Sequence, residues 1–182
     1  CRDRGLAWLE AHPSALTEGR PHPYWQEFLP QLRRAFGERC GYLGLYIASG
    51  TVDHFRAWKG VDGAALAYAW DNYRYADFTI NSAKKPAWDG QLLDPFEVED
   101  DWFEVLLPSC QMRLVEDNIP PALRERARFT LDKLRLATHE DWVRLRSEWL
   151  QLYEAGDLSL EGLRRVAPQV ARAVERRDAL TR

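Results

Sequence analysis

Thr51-Val52-Asp53-His54-Phe55 is the stretch on which the fold of this chain turns. β-Branched and aromatic residues flank an aspartate and a histidine, and Ser49-Gly50 immediately before them is a turn signal. Upstream, Tyr42, Leu45, Tyr46 and Ile47 form a second run of strand formers, so a β-hairpin is expected over residues 41–55. Downstream come a loop over 59–65 with two glycines and an apolar-aromatic segment over 66–75 that carries Trp70-Asp71-Asn72. A helix from Asp77 to Lys85 then has to stop before Pro86, because the residue ahead of a proline is pushed out of helical geometry.

Asp53-His54 brings together what phosphodiester hydrolysis requires, a base to activate water and an oxygen ligand for a charge-stabilising cation. Neighbouring strand residues face opposite sides, so the aspartate can hold metal while the histidine is aimed from the other side. The dipeptide alone is common by chance, and spacing is what strengthens it. Asn72 follows His54 by a loop-sized interval, and Asn81 and Lys84 stand nine and twelve residues beyond Asn72.

The order Asp53-His54, Asn72-Tyr73, Asn81, Lys84 resembles the HNH nuclease family, with Phe55, Trp70 and Asp94-Pro95 as further points of likeness. The resemblance covers residues 36–96, about a third of the chain, and implies a ββα-metal fold with the base on the hairpin and the last motif residue on the helix. It implies catalytic roles for His54, as general base, and for Asn72, holding the imidazole in its working tautomer through a hydrogen bond. Asp53 and Asn81 would ligate a divalent ion, magnesium or manganese, and Lys59 and Lys84 would meet substrate phosphate. DNA is the implied substrate, with RNA sharing the chemistry, and the implied setting is bacterial defence; the small size and modest charge of the chain add the expectation of a partner protein for targeting. The alternative is a catalytically inactive HNH-like scaffold that binds protein or nucleic acid.

Many relatives carry two Cys-x-x-Cys knuckles that bind a structural zinc. Here those positions are Cys40 and Leu43, then Asp77 and Ile80, so one thiolate of four remains and no structural zinc is expected. Leu43 and Ile80 would pack together instead. Arg56-Ala57-Trp58-Lys59 also departs from the proline-lysine pattern common after the histidine. Plainer readings stand beside these: a structural strand histidine, a turn-capping Asp53, a loop Asn72, an N-cap Asn81 and a solvated Lys84. His12, His22 and His139 are assigned no chemistry.

The 182 residues are read as a single α+β domain: a helical lead-in over 1–36, the HNH-like core over 37–96, a strand and loop segment over 97–121, and C-terminal helices over 122–182. Apolar spacing predicts helices over 24–36, 123–136, 139–155 and 159–179, and one or two strands within 102–115. A 46% hydrophobic content with eight tryptophans argues against disorder. The absence of a long apolar run or an apolar leader gives the expectation of a cytoplasmic protein with no membrane association. Three distant cysteines argue against a disulfide framework. The net charge of −3 provides no global attraction to nucleic acid. The arginines of the last helix are interleaved with Glu161, Glu175 and Asp178 and are expected to form a salt-bridged surface.

Overall fold

A computed structural model describes residues 2–16, 20–58 and 63–181. The chain is α+β, and its described strands form two separate two-stranded antiparallel sheets among helices. It divides into two compact units, Cys1–Glu38 with Ala48–Gly90, and Arg39–Ile47 with Gln91–Arg182.

In the first unit, α1 (Arg2–Ala11) turns Leu9 inward, where Leu9, Ala15, Ala67 and Tyr68 form a small core. Gly5 is required there, since a Cβ on it would lie 2.5 Å from the Tyr68 ring. A 3-10 turn over Tyr24–Phe28 leads into α2 (Leu29–Ala35), which buries Leu32 and ends at Gly37, whose φ of 58° favours glycine. β1 (Thr51–His54) is followed by α3 (Gly63–Ala67), a 3-10 turn over Trp70–Asn72, and β2 (Tyr73–Ala76). β1 and β2 pair in the register Thr51–Ala76, Val52–Tyr75, Asp53–Arg74 and His54–Tyr73. α4 (Phe78–Ala83) follows at once, capped by the Asp77 carboxylate on the Thr79 N–H at 2.7 Å and anchored by buried Ile80. It stops at Lys84, ahead of Pro86, as its sequence predicts.

The expected hairpin over 41–55 does not form. Cys40–Leu45 closes on itself instead, with the Gly44 N–H donating to the Cys40 carbonyl at 2.8 Å and the Cys40 N–H to the Leu45 carbonyl at 2.9 Å. The Tyr46 N–H goes to the Val166 carbonyl, so this segment belongs to the second unit, while β1 finds its partner in β2. An apolar run of that length reads alike whether it is a buried strand or a buried turn. Leu43 thus lies in the second unit and Ile80 in the first, both buried.

The second unit holds β3 (Phe103–Leu106) and β4 (Gln111–Leu114), paired Phe103–Leu114 to Leu106–Gln111. α5 (Arg124–Lys133) and α6 (Glu140–Glu154) follow, the latter burying Trp142, Arg146 and Leu150 on one face. The single helix expected over 159–179 is two, α7 (Leu160–Val166) and α8 (Pro168–Leu180). Pro168 has no N–H for an intrahelical bond and disfavours helical geometry at Ala167, whose φ and ψ are −148° and 67°. α8 packs on β3 through an apolar face that includes Val170 and Val174. Its outer arginines are ion-paired as expected, Arg172 with Asp100, Arg176 with Glu104, and Arg177 with Glu154 and Asp178. No described helix is long and apolar enough to cross a membrane.

Candidate active site

The β1–β2 pair and α4 bring four of the six candidate residues, Asp53, His54, Asn81 and Lys84, into one region. Strand alternation sends Asp53 inward, where it is 1% exposed, and leaves His54 half-buried on the other side. The histidine Nε2 lies 3.0 Å from the Ala67 carbonyl, and because a carbonyl only accepts, Nε2 carries the proton and a neutral ring keeps its lone pair on Nδ1. The same carbonyl accepts from the Tyr73 hydroxyl at 2.9 Å. Burial pushes the Tyr73 phenol up, which keeps it a donor. Trp25 and Tyr73 meet the imidazole edge-on, with centroids 4.7 and 5.2 Å away. Burial pulls His54 below the usual histidine range. The Ala67 hydrogen bond and the Asp53 charge oppose that shift, and Lys84 reinforces it.

Asn72 serves the loop rather than the ring. Its Oδ1 accepts from the Arg56 N–H at 2.8 Å, and its Nδ2 donates to the Arg56 and Leu66 carbonyls, each at 3.0 Å. Asn72, the last residue before β2, is thereby tied to Arg56 just after β1 and to Leu66 within the excursion between the two strands. The hydrogen bond to the imidazole that sequence assigns to Asn72 is made by the Ala67 carbonyl, and the Asn72 side chain reaches only as far as the Leu66 carbonyl next to it.

Lys84 leaves the end of α4 and turns back onto β1. Its Nζ lies 2.8 and 2.6 Å from the two Asp53 carboxylate oxygens, 3.1 Å from the His54 carbonyl and 3.5 Å from that of Phe55. Burial pushes the ammonium below the usual lysine range against the pull of Asp53. Lys84, expected at a substrate phosphate, is thus engaged with the residue expected to hold metal. Asn81 reaches from α4 to the Val52 carbonyl at 3.4 Å, a long contact that sets its amide beside the residue preceding Asp53. Lys59 lies outside the described residues, as does Cys1. Cys40 and Cys110 are buried thiols of the second unit.

These oxygens suit a hard cation. A carboxylate and two carbonyls converge on one point, with the Lys84 ammonium as the stand-in ion and a carboxamide nearby, and magnesium sites often rest on one or two carboxylates completed by water and phosphate. Among the described residues no group of three or more His, Cys, Asp or Glu side chains offers a denser metal cage.

Sequence reasoning missed Arg74, which stands opposite Asp53 in the ladder and is 3% exposed, its guanidinium donating to the Asp71 and Tyr73 carbonyls at 2.6 and 2.9 Å. Pairing the segment after Asn72 with β1 was the signal that would have found it. Comparison with known proteins finds no matching family model, curated protein or solved structure.

Proposed function

We propose that this protein is an HNH-type endonuclease that hydrolyses DNA phosphodiester bonds with one divalent cation, magnesium or manganese, in a ββα-metal core formed by β1, β2 and α4. The observation that carries this reading is the placement, at adjacent positions of β1, of a histidine fixed through Nε2 and a carboxylate around which further oxygens hold a cation. His54 Nδ1 takes the proton from the attacking water, and the Ala67 carbonyl and Asp53 favour the imidazolium that results. Trp25 and Tyr73 hold the ring plane while this happens. Asp53, with the Asn81 carboxamide nearby, would hold the divalent ion, which when bound would supply charge stabilisation to the scissile phosphate and the leaving oxygen. Bacterial defence and recruitment by a partner protein belong to this reading.

The test is cleavage of supercoiled plasmid by purified protein with magnesium, manganese or EDTA, beside His54→Ala. Nicking or linearisation is expected with metal alone, with a rate lowered by about 10²- to 10⁴-fold in the variant. Equal inertness of both proteins sinks the nuclease. It would favour the second reading, an inactive HNH-like scaffold that binds protein or nucleic acid, for which the specific observation is that Lys84 already neutralises Asp53.

A further inference from the structure

Lys84 is placed as an ion rather than as a surface side chain. Its side chain is 10% exposed and that of Asp53 2%, and the ammonium faces four oxygens, both from the Asp53 carboxylate and one each from the His54 and Phe55 carbonyls. Oxygens of these kinds are what magnesium and manganese take. A second cation has no room in the charge balance of this pocket. Asp53, in direct contact with the ammonium, and the more distant Asp89 are two negative charges, and they are already balanced by Lys84 and by the Arg74 guanidinium on the facing strand, which repels the ammonium. A divalent ion placed beside Lys84 would share a single carboxylate with it at short range in a poorly solvated site, where like charges interact strongly. The ion therefore reaches Asp53 only as the ammonium leaves.

The backbone allows that departure. Lys84 is already out of the helix, with φ −62° and ψ 137°, and its backbone N–H closes α4 on the Asn81 carbonyl whichever way the side chain points, so the contacts to Asp53, His54 and Phe55 are made by the side chain and not by the helix. Four methylenes can then swing the ammonium out without unfolding α4.

We propose that Lys84 is the resident cation of the Asp53 site, that a divalent ion binds by exchanging with it on the same oxygens, and that this exchange sets the metal concentration at which the site fills. The inference rests on the reading of Asp53 as a metal ligand and adds the regulation of that site.

Manganese binding, followed by the EPR signal of the free ion and by calorimetry, tests it on wild type, Lys84→Met and Asp53→Asn. Lys84→Met, which keeps the stem and removes the charge, is expected to bind manganese about ten-fold more tightly than wild type or better, the scale of one charge-assisted hydrogen bond. Asp53→Asn is expected to lose the site. Affinity in Lys84→Met equal to or weaker than wild type overturns the proposal, as does binding that survives in Asp53→Asn.

A second measurement uses the unmutated protein in case Lys84→Met fails to fold. Acylation of Lys84 by an amine-reactive reagent, localised by mass spectrometry against the adjacent Lys85, is expected to rise several-fold when manganese saturates the site. Unchanged or reduced labelling of Lys84 with manganese overturns exchange, as does failure of wild type to bind manganese at any concentration reached. Plasmid cleavage is scored separately: tighter manganese binding in Lys84→Met without cleavage by any form keeps exchange and removes the nuclease. Metal-dependent cleavage with unaltered affinity in Lys84→Met does the reverse.

Discussion

The two hairpins of this chain are of equal length and opposite character. β3 and β4 are joined by residues 107–110 and turn Phe103, Val105 and Met112 inward, so their buried face is apolar and their outward positions carry Glu104 and Arg113. β1 and β2 are joined by the excursion over 55–72 and bury Asp53 and Arg74 along with Val52, Tyr73 and Tyr75. An apolar strand pair stabilises by removing area from water, whereas a pair that buries charge must satisfy every charge it buries. Stability is therefore spread over many contacts in β3–β4 and depends on a few polar ones in β1–β2.

Matched truncations separate the two cases. Asp53→Ala removes the carboxylate that ties the Lys84 ammonium to β1, and the ammonium that swings out leaves the His54 carbonyl unpaired, so the expected cost is about 3 kcal/mol, the lower end for a broken buried pair. Val105→Ala, which removes two methyl groups from the β3–β4 face, should cost about 2 kcal/mol. Urea denaturation with unchanged m values measures both. If Val105→Ala proves the more damaging, the Asp53–Lys84 pair is not what holds β1 to α4, and the contrast between the hairpins fails.

The same contrast explains what could be read in advance. Strand was legible in 102–115 from its alternation, but the division into β3 and β4 and their pairing across residues 107–110 were not, because period-two alternation marks a strand without marking its partner. β1 was legible as a strand, but its partner was not, because the choice between 42–47 and 73–76 depends on whether Cys40–Leu45 closes on itself, a decision made by the Tyr46–Val166 bond to a helix end far along the chain. The break between α7 and α8 was legible at Pro168, and apolar periodicity ran over it. At the site, Asp53-His54 and the α4 residues were visible from spacing. The actual partners of Asn72 and Lys84 were not, since backbone carbonyls of a closed loop have no signature in the sequence.

Asn72 gives the next test. Its three hydrogen bonds clamp Arg56 and Leu66, and Asn72→Ala strands one N–H and weakens two carbonyls in a part-buried loop, at about 2–3 kcal/mol. Ser109 plays the corresponding part in the β3–β4 turn, with contacts of 3.3 and 3.4 Å at an exposed position, so Ser109→Ala should cost about 0.5 kcal/mol or less. Hydrogen exchange of the Arg56 amide sharpens the comparison, because its protection is expected to fall in Asn72→Ala even under conditions where the protein stays folded. Retained protection would mean that Asn72 does not close the excursion.

The smallest expected effect is the response of each hairpin to acid. Burial holds the folded-state pKa of His54 below its unfolded value of 6.5, so as pH falls through 6.5 the unfolded chain takes up a proton that the folded protein still refuses. Protonation then favours unfolding, and the stability associated with His54 is present above the unfolded value and declines as pH drops toward the folded one. His54→Gln removes this dependence, so the difference in unfolding free energy between wild type and variant, followed by urea denaturation from neutral to mildly acidic pH, should shrink or reverse as pH falls. In the proposed reaction the same depression keeps the base unprotonated below pH 6.5, which places the acid limb of a pH–rate profile under that value. A limb above 6.5 would mean that the group titrating in catalysis is not a histidine buried as His54 is, and a wild-type stability curve parallel to that of His54→Gln would remove the burial argument itself.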